Sequence, residues 1–194
     1  MPVQVYSLAL NIVRGCWLVF IAVWLLAAVS TKRTVYRESH SQRLRYWVLF
    51  VIACLLLIYG RQLPYPLNLN IIPHALPIVG TAVVLCIAGL LVALWARVIL
   101  GRNWSGMVTL KEGHELVERG PYRFVRHPIY TGMVAMFFAT ALLQRHLAGF
   151  LGMLLVFASF WIKLGFEEKL MLQQFPQRYA AYRRRTKRII PFVL

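Results

Sequence analysis

The 194-residue sequence contains no aspartate and only six acidic residues, all glutamate, against 22 Lys+Arg, for a formal net charge of +16. A metal–carboxylate centre therefore has little to be built from, and no Ser/His/Asp spacing suited to nucleophilic catalysis occurs. No metal site is expected. Three cysteines, Cys16, Cys54 and Cys86, each stand alone in apolar sequence. Without a CxxC pair or a His-plus-Cys cluster they read as inert packing residues, not as a zinc or disulfide framework. Neither GxGxxG nor a Walker pattern is present, which excludes a soluble-type nucleotide domain. The N-terminal MPVQVYSLALNIVRG lacks a basic leader and a small-residue cleavage site, and is expected to be a retained span. Internal repeats and low-complexity segments are absent as well.

Charge is also scarce overall. Only 14% of residues are charged, where soluble domains carry about a quarter, while 60% are hydrophobic and the mean hydropathy is +0.63. That apolar content excludes disorder and argues against a nucleic-acid partner despite the basicity. A multi-pass membrane protein whose charges sit in its loops accounts for both properties.

Apolar runs fall at about 8–29, 46–60, 78–100, 129–144 and 147–165. The first and third approach the ~20 residues needed to cross a bilayer, and the second needs extension or a thin membrane. The last two, parted only by Gln144, Arg145 and His146, read as a tight helical hairpin. Nineteen of the 22 basic residues lie in three stretches: Thr31–Arg45, Arg97–Arg126 and the tail from Lys163. All six glutamates lie there too. Five spans with the N-terminus outside place these stretches in the cytoplasm. The expectation is an all-α integral-membrane bundle, one membrane domain over 1–194. Residues 1–77 would form two spans and an outer loop broken by Pro64, Pro66, Pro73 and Pro77. Residues 78–194 would form the functional core.

Two segments carry possible chemistry. Gly101–Gly132 is long, polar and punctuated by glycine, unlike the short connectors usual between helices. It ends in Arg126, His127, Pro128 and Tyr130 at the expected membrane boundary. Tyr130 and Arg126 suit either an interfacial anchor or a site, whereas an anchor has less use for the imidazole of His127. In the second segment, WIKLGFEEKLMLQQFPQRYAAYRRR, Lys163 and Glu167 share a helix face. Glu168 and Lys169 suit a solvated face, and Tyr179, Tyr182 and Arg183–Arg185 suit anionic lipid headgroups.

GHELVERGPYRFVRHPIYTG, followed after one hairpin by FEEKLMLQQFPQRYAAYRRR, resembles the isoprenylcysteine carboxyl methyltransferases, integral-membrane enzymes that use S-adenosylmethionine without a Rossmann domain. The resemblance covers roughly residues 95–192 and is to the compact prokaryotic members, implying an inner-membrane location with a cytoplasmic-facing site. It implies cofactor contacts at His114, Glu115, Leu116, Val117, Tyr122, His127, Pro128, Ile129, Tyr130 and Glu167, within a cofactor-binding loop 101–130 and a C-terminal segment 163–194. Lys163 stands where the family usually has a substrate-facing arginine, and Arg126 and Tyr130 complete the expected catalytic set. Two departures bear on the substrate: lysine loses the bidentate recognition of carboxylate that arginine offers, and Pro176 replaces a common glycine, beside a shortened Glu167-Glu168 run. The implied acceptor is lipophilic, such as the carboxylate of an isoprenylated cysteine, although amines, thiols and other lipids stay open. Faces of Tyr122, Tyr130 or Trp104 suit a sulfonium. Two other classes compete: an NADPH-dependent enzyme like the sterol reductases, with Arg183–Arg185 meeting the 2′-phosphate, and a non-enzymatic membrane module. Partners are membrane lipids and the lipophilic substrate; oligomeric state is not legible.

Overall fold

Each expected apolar run lies in a helix of the computed structural model, which describes residues 3–28, 33–113, 115–191 and 193. The helices are α1 (Val3–Ala28), α2 (His40–Tyr59), α3 (Leu76–Leu100), α4 (Pro128–Gln144), α5 (Leu147–Gln174) and α6 (Pro176–Arg185). Among the described residues, α1, α2, α3 with the 3₁₀ turn that continues it, and α5 are long and apolar enough to cross a membrane. α4 is apolar but has 17 residues. At 1.5 Å per residue it spans about 25 Å. The chain is thus a multi-pass helical membrane protein.

The helix ends explain where the runs alone fell short. Ser39 caps α2 and exchanges hydrogen bonds with Gln42, its backbone N–H donating to Gln42 Oε1 (3.1 Å) and its hydroxyl accepting from the Gln42 N–H (3.3 Å). This capping box starts the helix six residues before the apolar run and gives it 20 residues. α5 continues to Gln174, beyond the apolar run, and so carries Lys163, Glu167 and Glu168 on its last turns. Pro77, expected in the outer loop, lies instead in the first turn of α3, where a proline needs no N–H. The α4–α5 hairpin turns through Arg145 in the left-handed region (φ 64°), and the loop before α3 is pinned onto it by Ile71 N–H to Arg145 O (3.0 Å) and Leu147 N–H to Leu69 O (2.9 Å).

A short sheet was not expected. β1 (Thr34–Arg37) and β2 (Thr109–Lys111) pair antiparallel, Tyr36 against Leu110 and Arg37 against Thr109. Both lie within segments that read as charged loops, where the β-branched Thr34, Val35, Val108 and Thr109 carry the local preference for strand.

Packing is closest between α3 and α4. A Cβ on Gly89 would meet the Gly132 carbonyl at 2.6 Å, so the two backbones touch where both helices lack a side chain. Ala82, Cys86, Ala93, Met136 and Ala139 are fully buried along the same seam, with Cys16 of α1 beside them. Cys16, Cys54 and Cys86 are free thiols, as the sequence suggests. Against α5, α2 packs through Ala53, Leu57, Val156 and Phe160. Interhelical bonds tie the layers: Trp17 Nε1 donates to Thr140 Oγ1 (3.0 Å) and Ser159 Oγ to the Tyr46 carbonyl (2.8 Å). Arg97 joins the ends of α1 and α3, donating to Ala27 O (2.9 Å) and Gly101 O (2.7 Å). These two helices therefore run in the same direction and finish at the basic end of the bundle.

Candidate functional site

At that basic end the helices enclose a cavity of ≈ 390 Å³. Clefts that hold cofactors run from roughly 300 to 1,000 Å³. Its lining combines apolar side chains, Phe20, Trp24, Phe50, Met133 and Phe160 among them, with ionisable groups, and the two adjoin where the rings of Phe160 and Tyr130 lie 5.0 Å apart.

The ionisable groups gather where α4 begins and α5 ends. Tyr130, in the first turn of α4, donates its hydroxyl to Glu167 Oε1 at 2.7 Å. His127, just before that helix, lies between the two adjacent glutamates, Nδ1 at 3.6 Å from Glu167 Oε2 and Nε2 at 3.2 Å from Glu168 Oε1. Lys163 is buried, 9% exposed, and donates from Nζ to the Gly106 carbonyl at 2.6 Å. Its ammonium also lies 4.0 Å from Glu167 Oε1 and 5.5 Å from the ring centroids of both Tyr46 and Tyr130.

Glu168 corrects the sequence reading. Expected on a solvated face, it is 2% exposed and faces Arg126 Nε (2.8 Å), Arg188 Nη2 (2.8 Å) and Arg183 Nε (3.8 Å) as well as His127. Four basic groups around one carboxylate explain how it stays buried. Arg126, which lines the cavity, is thereby committed: its guanidinium bonds Glu168 and the carbonyls of Thr186 and Arg183. Arg185 pairs with Glu118, as does Arg178 at 2.9 Å, so Arg183 and Arg185 face carboxylates of this chain and not only the headgroups expected of them.

Of the other expected cofactor contacts, Glu115, Leu116, Val117, Tyr122 and Ile129 line the cavity. Pro128 is fully buried in the first turn of α4 and does not. His114 lies outside the described residues. Trp104 is at the cavity, with Arg97 over its ring at 4.7 Å.

Several lining residues are not marked as a site by the sequence, and burial of Tyr179 and Tyr182 corrects the expectation that they meet lipid headgroups. Tyr179 and Tyr182, three apart on α6, turn one face into the cavity and are each 2% exposed. The Tyr182 hydroxyl donates to the Tyr122 carbonyl at 2.5 Å. Burial pushes the phenols of Tyr122, Tyr179 and Tyr182 well above their ordinary value, so they stay neutral donors. Their i, i+3 spacing was the available signal. Tyr46 on α2 gave none. Residues 186–189 form a strap beside the start of α4: Arg126 N–H donates to Lys187 O (2.8 Å), His127 N–H to Arg188 O (3.1 Å), and Thr131 Oγ1 to Ile189 O (2.6 Å).

The architecture defines a multi-pass helical membrane protein with a half-apolar, half-ionisable cavity at one end of its bundle. Residues 78–178 match the phospholipid methyltransferase family, and the chain belongs to it. It is also 28% identical over 101 residues to protein-S-isoprenylcysteine O-methyltransferase B of Arabidopsis thaliana, a match covering 50% of this chain and 51% of that protein. The chain spans about half the length of the curated relative it matches. The matched residues contain every ionisable cavity-lining group described above except Tyr46, Tyr179 and Tyr182.

Proposed function

We propose that this chain is an S-adenosylmethionine-dependent methyltransferase working at the cytoplasmic boundary of the membrane. Its acceptor is the carboxylate of a lipophilic molecule such as an isoprenylated cysteine. The observation that carries the acceptor class is Lys163. Its ammonium has three donors, one hydrogen bond (to Gly106 O) and a carboxylate only at 4.0 Å, and it lines a cavity rich in apolar side chains. A buried cation with spare donors suits an anion attached to a hydrocarbon chain. An amine acceptor would meet a like charge there.

The residues present also fit the methyl donor. S-adenosylmethionine offers hydroxyl and ammonium donors and a sulfonium. Glu167 faces the cavity with Oε2 free of the tyrosine, and the ring of Tyr130 adjoins it. When bound, that group supplies an electrophilic methyl. The chain's own part is to bind, orient and exclude water: Glu167, held by Tyr130 and His127, accepts bonds from the donor molecule; Lys163 holds the acceptor carboxylate; and Tyr122, Tyr179 and Tyr182 shield the site. No general acid is needed, because a carboxylate attacking a sulfonium methyl releases a neutral thioether.

Calorimetry with purified protein tests the cofactor: S-adenosylmethionine is expected to bind and NADPH not to, and the reverse would replace this reading with the reductase-like one. Transfer of a labelled methyl group to N-acetyl-S-farnesylcysteine tests the acceptor. Methylation of a lipid amine in place of that carboxylate would overturn it.

A further inference from the structure

A buried carboxylate outside the matched residues 78–178 bears on the same ammonium by two separate routes. Glu38, in the turn between β1 and α2, is 7% exposed. Its Oε1 accepts from the Tyr46 hydroxyl and from the Val108 N–H (3.3 Å), while its own N–H donates to Val108 O (3.1 Å). Its Oε2 is buried without a hydrogen-bond partner. A buried polar oxygen left without a hydrogen-bond partner is unfavourable.

Both of Glu38's attachments lead to Lys163. Through the phenol it fixes the ring of Tyr46, whose centroid is 5.5 Å from Lys163 Nζ. Through Val108 it fixes the loop whose Gly106 carbonyl accepts from Lys163 at 2.6 Å. The α5 side is anchored independently: Ser159, one turn before Lys163, donates to the carbonyl of Tyr46 at 2.8 Å. The lysine stem is long and has many rotamers. A lysine at this position therefore needs outside restraint to present its charge at one point, and Glu38 supplies both restraints.

We infer that Glu38 is a positioning residue: through Tyr46 and through Val108–Gly106 it sets the place of the Lys163 ammonium, and so the affinity for the anionic acceptor, without touching the cofactor wall. This inference rests on the reading of Lys163 as the acceptor's anchor.

The experiment compares Glu38→Ala, Glu38→Gln and Tyr46→Phe with the wild type in detergent, and has two readouts. The first is the KM for N-acetyl-S-farnesylcysteine against the Kd for S-adenosylmethionine. Glu38→Ala is expected to raise the KM at least tenfold and Tyr46→Phe about threefold, with the cofactor Kd within twofold in both. Glu38→Gln, which still accepts from Tyr46 and Val108, is expected to rescue most of the loss. The second readout is independent of any acceptor: the rate at which Lys163 is reductively methylated by formaldehyde and cyanoborohydride, followed by mass spectrometry against the same reaction at Lys169. Loss of the tether in Tyr46→Phe, the variant least disruptive to folding, is expected to speed labelling of Lys163 severalfold. An unchanged labelling rate in Tyr46→Phe, or KM and Kd rising together in Glu38→Ala, would overturn the inference. A wild type that binds no S-adenosylmethionine or leaves the farnesylcysteine unmodified overturns the proposed function instead, and the labelling rate still decides the role of Glu38.

Discussion

In the proposed reaction Lys163 and Glu167 divide the work of the site, and each part is measurable. Replacing Lys163 with Met removes a charge-assisted contact worth about 1.5–3 kcal/mol, so kcat/KM for a carboxylate acceptor should fall by roughly tenfold to a hundredfold with cofactor affinity nearly unchanged. Lys163→Arg should recover part of it. Full activity in Lys163→Met would argue for an acceptor without a charge. Conversely, Glu167→Ala and Tyr130→Ala should each weaken S-adenosylmethionine binding by about tenfold or more while the protein still inserts and purifies, as read by calorimetry. The sequence made these residues legible because a helical spacing of four and the boundary of an apolar run are local facts. It could not separate Glu167 from Glu168. Adjacent residues on a helix point about 100° apart, and which of two neighbouring faces meets the core depends on where Arg126, Arg183 and Arg188 arrive from elsewhere in the chain. Glu38 and Tyr46 were invisible for the same reason, since apart from each other their partners lie beyond α3.

At the level of elements, the site depends on how tightly α4 is held against α3. Gly132 lies one turn into α4, and a Cβ there would fall 2.9 Å from Ala93 Cβ and closer still to the Gly89 carbonyl. Gly132→Ala must push the helices apart at the level where Tyr130 reaches Glu167. Overpacking of this kind costs about 1–3 kcal/mol, or a Tm lower by roughly 2–12 °C for a chain of this size. Thermal denaturation in detergent with and without S-adenosylmethionine checks it, and an unshifted Tm would mean the two helices have slack. The five apolar helices were readable from hydropathy; the polar α6 was not. Their ends were not, because the cap at Ser39 and the extension of α5 to Gln174 rest on polar residues that hydropathy counts as loop. The β1–β2 pair was missed because two strands of four and three residues, 71 residues apart in sequence, leave no periodic trace.

For the whole molecule, the distribution of charge gives an orientation. Arg97 binds the ends of α1 and α3 together, and those ends lie with the three basic stretches. By the positive-inside rule the N-terminus is expected outside and the far end of α5 in the cytoplasm. Reporter fusions at residue 2 and after residue 190 should therefore respond on opposite sides of the membrane; the same side for both would remove one crossing, with α4, at 17 residues, the first to doubt.

The strap at 186–189 has a consequence for biosynthesis. His127 and Arg126 are synthesised early, yet the backbone partners that fix them, Arg188 and Lys187, are about sixty residues further along the chain. At 5–20 residues per second this is a delay of roughly 3–12 s. Once Gln174 is added every long helix has been made, yet the strap that begins at residue 186 is still absent. If the proposed function holds, a copy halted before residue 186 is expected to bind no methyl donor and to modify nothing around it.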